Sequence, residues 1–71
     1  MTLGERVRAL RRARDWTLST LGSNAGVSVS YLNDIEHDRN APSLKRLLAI
    51  ASALGMSVTE LLSGTHPYDH R

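Results

Sequence analysis

The chain reads as an all-α fold of five short helices, on three observations: two capping boxes, apolar residues recurring at helical spacing, and Gly or Pro between the apolar segments. Thr2 and Glu5 form the first box, in which hydroxyl and carboxylate satisfy free amides at a helix start. Leu3, Val7 and Leu10 follow as one buried stripe, so the first helix spans about residues 3–14. Thr17 caps a second helix containing Leu18 and Leu21, which stops near Ala25 because Gly26 accepts the left-handed conformation that ends a helix. Ser28 caps a third, carrying Leu32 and Ile35. The stretch 37–42 lacks apolar periodicity and reads as a loop, with Pro42 just before the next cap, Ser43. Leu44, Leu47, Leu48, Ala51 and Leu54 make a fourth helix closed by Gly55. A second box, Ser57 to Glu60, opens a fifth with Leu61 and Leu62, ending at Gly64. Residues 1–64 are expected to form one domain, and the polar stretch 65–71 a flexible tail or the stub of a linker to a further domain.

Composition narrows the class. A chain of 71 residues has room for one small core, and with no Cys it lacks disulfide or Cys-based zinc reinforcement, leaving helix packing or self-association to stabilise it. Hydrophobic residues at 41% and charged residues at 23% are ordinary for a globular domain. No apolar run approaches the roughly 20 residues of a membrane span, and no apolar secretory segment opens the chain, so a cytoplasmic home is expected. The net charge is +2, but the first 16 residues hold five arginines against Glu5 and Asp15. Such a basic end suits a polyanionic partner and is equally a solvated helix face. His37, His66 and His70 have no metal-ligand spacing, no Gly-rich phosphate loop follows a strand, and no nucleophile pairs with a base. No catalytic residue, metal or cofactor is expected, and the chain does not read as an enzyme.

The informative segment is Thr17 to Glu36. At Gly22 the third helix is expected to pass close over the second, leaving room for only a very small side chain, and at Gly26 the turn requires a positive φ. Leu21, Ala25, Val27, Leu32 and Ile35 take the inward positions that such a steep crossing must bury. This run, with the segments Asn40 to Leu44 and Ala49 to Gly55, resembles the Cro and phage-repressor (Cro/C1, XRE) family of helix-turn-helix domains. The likeness extends over residues 3–63, with Gly26-Val27-Ser28, Ile35-Glu36 and Pro42-Ser43-Leu44 in family order and spacing.

The resemblance implies a compact five-helix, lambda-repressor-like domain whose second and third helices form the motif. The third helix is then expected in the major groove of double-stranded DNA, usually as a homodimer on a two-fold symmetric site. By position, Val29, Ser30 and Asp34 match places from which family members contact base edges, with Asn33 beside them. Helical geometry agrees: with Leu32 and Ile35 inward, Ser30, Asn33, Asp34 and His37 point outward. Ser30 can bond a donor or an acceptor, Val29 can press on a thymine methyl, and Asp34 can accept from a cytosine amino group. The alternative is that all four merely face solvent. Phosphate contacts are expected from Thr17, Ser28, Tyr31, Arg39, Asn40 and Lys45. The chain departs from the family at Leu18, where Gln is common, and at Val29, Asp34 and Asp38, around which a basic residue often stands.

Arg11 and Glu36 match residues that pair between the first and third helices in some family members, the alternative being two independent surface charges. Trp16, between the first two helices, reads as a lid on the core. Met56, Val58 and Leu61 are candidate dimer contacts, because the fourth and fifth helices carry more apolar side chains than one small core needs. The expected function is a transcriptional regulator, a repressor reading an operator. The competing reading is an interaction module of the same fold, an antitoxin or anti-repressor gripping a protein, to which the weakly basic third helix lends support.

Overall fold

The computed structural model describes residues 1–65, and among them it contains five helices and no strand: α1 (Leu3–Ala13), α2 (Leu18–Ala25), α3 (Val29–Glu36), α4 (Leu44–Ala53) and α5 (Val58–Leu62). Every helix begins on a hydroxyl. Thr2, Thr17, Ser28, Ser43 and Ser57 accept from the amides of Glu5, Thr20, Tyr31, Arg46 and Glu60 at 3.2, 3.0, 3.0, 3.3 and 3.1 Å. A cap of this kind contributes about 1 kcal/mol, which matters for helices of one to three turns that are marginal alone. The α1 and α5 caps are full boxes, because the Glu5 and Glu60 carboxylates accept from the Thr2 and Ser57 amides, each at 2.9 Å. Bonding to the Ser57 backbone lowers the Glu60 pKa. That contribution is therefore present above the ordinary carboxylate range and lost as pH falls through the lowered value.

Every helix contributes to the core: Val7 from α1, Leu21 from α2, Leu32 from α3, Ile50 and Ala51 from α4, Leu54 from its cap, and Leu61 from α5. α1 lies against α3 and α5, α2 against α3 and α4, and α4 against α5. Trp16 is half-buried on the edge of the core, the lid expected of it, with the Arg14 guanidinium 5.9 Å from its ring centre. Leu61, expected at a dimer interface, is instead fully buried. On a five-residue helix packed against both α1 and α4 it is the one fully buried residue, so it cannot also face a partner.

The turn between α2 and α3 has the expected conformation, with Gly26 at φ 70°. The crowding at Gly22 has a different source from the one expected. The nearest atom to a Cβ built there would be the Val27 carbonyl oxygen, at 2.8 Å, and after it the first amide of α3. The turn, not the middle of α3, lies over Gly22, because the Val27 amide donates to the Gly22 carbonyl at 2.9 Å and draws the loop down.

A second close approach has no counterpart in the sequence reading. A Cβ on Gly4 would run into the Ile35 carbonyl, with the Glu36 carbonyl at 2.7 Å and Asp38 Oδ1 at 2.6 Å. α1 thus seats its first turn on the end of α3. Asp38, left-handed at φ 58°, accepts from the Gly4 amide at 3.0 Å and from the Thr2 hydroxyl at 2.6 Å. A carboxylate from a loop more than 30 residues away thereby supplements the α1 cap.

Element boundaries differ from expectation by a residue or two. α1 ends at Ala13 and α5 at Leu62, with Ser63 as cap. Thr65, placed in the tail, is bonded back to the Leu62 carbonyl through its amide at 3.0 Å and its hydroxyl at 2.7 Å. The remainder of the expected tail, with His66 and His70, lies outside the described residues. No helix among the described residues is long and apolar enough to cross a membrane.

Gly4→Ala and Gly22→Leu are each expected to lower stability by about 1–3 kcal/mol through overpacking against backbone carbonyls. Urea melts read this as a lower midpoint with an unchanged slope. A wild-type midpoint for either variant would show that the backbone does not approach as closely as described.

Candidate nucleic-acid interface

α3 is anchored from its buried end. Glu36, its last residue, accepts from Arg11 Nε at 2.7 Å and from Arg11 Nη2 at 3.0 Å, while Arg11 Nη1 donates to the Trp16 carbonyl at 2.8 Å. The side chains are 11% and 2% exposed, so this is a shielded, two-pronged pair and not two independent surface charges. Hydrogen bonding to Glu36 raises the Arg11 pKa above its ordinary value, against the opposing effect of burial. Both charges have partners, and no buried side-chain nitrogen or oxygen among the described residues lacks one.

With that end held, α3 presents an outer face. Val29, 46% exposed, and Ser30 stand open at its first turn, and Asn33 and Asp34 follow one turn later, half-buried. The geometry leaves a small polar and apolar mixture that can meet a row of base edges. The Asp34 carboxylate already has a partner: Arg39 Nε donates to its Oδ1 at 3.1 Å. Two residues assigned to separate tasks, base and phosphate, therefore meet in the free domain. His37 Nδ1 lies 2.9 Å from the Asn33 carbonyl, which ties His37 to the end of its own helix.

The expected phosphate-facing residues fall into groups. Ser28 and Tyr31 line one shallow recess at the turn, together with Gly26, Val27 and Arg46. Arg46 was not among the residues singled out from the sequence. It lies in the first turn of α4 beside Lys45, and two cations at a helix start oppose the macrodipole, a placement that costs stability unless an anion docks there. That pairing of a Ser cap with a following Lys-Arg is visible in the sequence, but which surface it joins is not. Thr17 makes its bonds within its own cap, to the Thr20 amide and hydroxyl, each at 3.0 Å. Asn40 lies with Asp38 and Leu3, toward the start of α1.

The five helix starts differ in charge. α1 and α5 carry a glutamate in the first turn, whereas α2, α3 and α4 carry no acidic residue there. The amides of those three starts keep their positive end unopposed by a carboxylate, which suits an anionic partner.

Conversely, much of the basic N-terminal segment is spent inside the fold. Arg6 donates to the Leu61 and Glu60 carbonyls at 3.2 and 3.1 Å, and Arg14 to the Leu10 and Leu54 carbonyls at 2.8 and 2.7 Å. With Arg11 in its pair, three of the arginines there link helices, and Arg8 and Arg12 remain on the exposed side of α1.

These features define a helix-turn-helix domain. The chain belongs to the helix-turn-helix family, which it matches over residues 7–61, and within it to the phage-repressor (Cro/C1, XRE) type. It is 47% identical over 62 residues to the immunity repressor protein of Bacillus phage phi105, covering 87% of this chain and 43% of that protein. It is 43% identical over 68 residues to the HTH-type transcriptional regulator DdrOP3 of Deinococcus deserti, covering 96% and 53%. The chain thus spans about half the length of these curated relatives. Among solved structures, the P22 c2 repressor bound to a synthetic operator superposes with TM-score 0.83 at 34% identity, covering 90% of this chain and 97% of that one.

Removing one partner of the buried pair, by Arg11→Ala or Glu36→Ala, should cost on the order of 3–5 kcal/mol, enough to leave so small a domain largely unfolded. Replacing both by apolar residues of similar size, Arg11→Met with Glu36→Leu, should recover most of that loss. Thermal melts of the three variants check this, and equal losses in single and double variants would contradict the pairing.

Proposed function

We propose that the chain is the DNA-reading domain of a transcriptional repressor, with α3 lying in the major groove of a two-fold symmetric site. The observation that carries this reading is the outer face of α3. Val29, Ser30, Asn33 and Asp34 project from a short helix fixed at one end by the turn at Gly26 and at the other by the Arg11–Glu36 pair. Ser28, Tyr31 and Arg46, which line one recess, and Lys45 beside Arg46 are assigned to phosphates, with Thr17 at the start of α2. Family membership supports the reading, as do two similar solved structures, the P22 c2 repressor in complex with a synthetic operator and SinR in complex with DNA. The role is one of binding, not catalysis.

The chain is further proposed to dimerise through Met56 and Val58, joined by Leu48 in place of the buried Leu61. These three line a shared shallow recess between α4 and α5, and Leu48 is 52% exposed. A two-fold arrangement would set the α3 helices of two protomers about 34–36 Å apart, one turn of DNA. Leu48→Asp, at an exposed position, should leave the monomer's melt close to wild type while abolishing cooperative occupancy of a selected site. Sedimentation at saturation should find two protomers per duplex, and one per duplex would overturn the dimer.

The competing reading, a module that grips a protein, draws on the absence of any Lys or Arg in α3. Selection from a random duplex pool separates the two. An enriched palindrome supports DNA reading, and weak, sequence-blind retention supports the module.

On the selected site, Ser30→Ala should change the preferred base at one or two positions per half-site, each by about 1–3 kcal/mol. Lys45→Ala should weaken binding to every duplex alike and flatten log K against log salt by about 1. The opposite pattern would show that a different surface enters the groove.

A further inference from the structure

α3 approaches a polyanion with an acidic charge on its outer face. Its sequence, Val29 to Glu36, holds no Lys or Arg and two carboxylates, of which Glu36 is buried against Arg11. That leaves Asp34 as the one charged side chain of α3 open to a ligand. A lone carboxylate between phosphate rows is repelled, and that repulsion grows as water is displaced.

The chain supplies a counter-charge in a defined place. After α3, Asp38 takes a left-handed conformation, held by its bonds to Thr2 and Gly4, and the chain turns so that the Arg39 amide donates to the Asp34 carbonyl at 2.9 Å. The same residue's Nε donates to Asp34 Oδ1 at 3.1 Å. An ordinary exposed ion pair gains little because two long side chains must be held still. This pair is exposed too, at 56% for Arg39 and 41% for Asp34, but one partner is short and the backbone of the other is tied to the same helix end. The contact engages Oδ1 and leaves Oδ2 free to accept, among the described residues.

We propose that Arg39 is a positioning residue for sequence specificity. By neutralising and orienting Asp34, it sets a preference for a base that offers an amino group in the major groove, cytosine first, without touching a base itself. This rests on α3 being the helix that reads the groove, and it replaces the simpler assignment of Arg39 to a phosphate.

The test uses the whole 71-residue chain on its best duplex from a random pool, and on that duplex changed at each base pair in turn. Asp34→Asn, Arg39→Gln and the double variant should erase the same preference at the same position, by about tenfold, with the double losing no more than either single. Arg39→Lys keeps the charge but not the Nε geometry, so it should retain the wild-type salt slope while the preference stays reduced. If Arg39→Gln instead weakens all duplexes equally, flattens the salt slope by about 1, and is rescued by Arg39→Lys, Arg39 is a phosphate contact and the proposal is overturned. In that case a base-preference change in Asp34→Asn would leave the groove reading by α3 standing. If neither Asp34→Asn nor Ser30→Ala moves any base preference, α3 is not the reader and both fall together.

Discussion

The Arg11–Glu36 pair joins three parts of the chain at one buried point: the last turn of α1, the end of α3, and the Trp16 carbonyl ahead of α2. A guanidinium suits this place because its planar array of donors can serve a carboxylate on one side and a carbonyl on another at once. At so low an exposure neither charge can turn to water, so the geometry is set by the pair and the helices must conform to it. The outer face of α3 inherits its direction from this buried end. A helix face held from behind keeps its direction even where its exposed side chains, such as Ser30 and Val29, are small.

The same economy governs the other arginines near the N-terminus. A domain of this size exposes many helix-terminal carbonyls relative to its core, and Arg6 and Arg14 satisfy those of α1, α4 and α5 by reaching across the gaps between elements. Their stems also cover apolar surface. Basic composition at this end therefore reports on how the bundle is tied, and only weakly on its partner. The cations placed against the fold's own interest, Lys45 and Arg46 at a helix start, report on the partner more directly.

Apolar side chains show a comparable division. Leu21, Leu32, Ile50 and Leu61 are wholly enclosed, while Leu44 and Leu48 on the outer side of α4 are 67% and 52% exposed. A core built from one or two residues per helix saturates quickly. Further leucines on α4 are left outside, and one of them, Leu48, lines the recess shared by Met56 and Val58.

What the sequence by itself determined is everything that acts over three or four residues. The five hydroxyl caps, the two capping boxes, the inward stripes and the left-handed turn at Gly26 are local, because a cap and its amide lie on the same turn of backbone. The outward side of α3 followed from the same periodicity, and the Arg11–Glu36 pairing could be read only through likeness to a family. Tertiary structure alone decided the rest. The seating of Gly4 on the end of α3, the reach of Asp38 back to Thr2, the burial of Leu61, the meeting of Arg46 with Ser28 and Tyr31, and the use of Arg6 and Arg14 as ties all join residues far apart in the chain. Such contacts depend on which helix faces come together and at what angle. That choice is made by the packing of the whole core, and no local pattern of side chains encodes it.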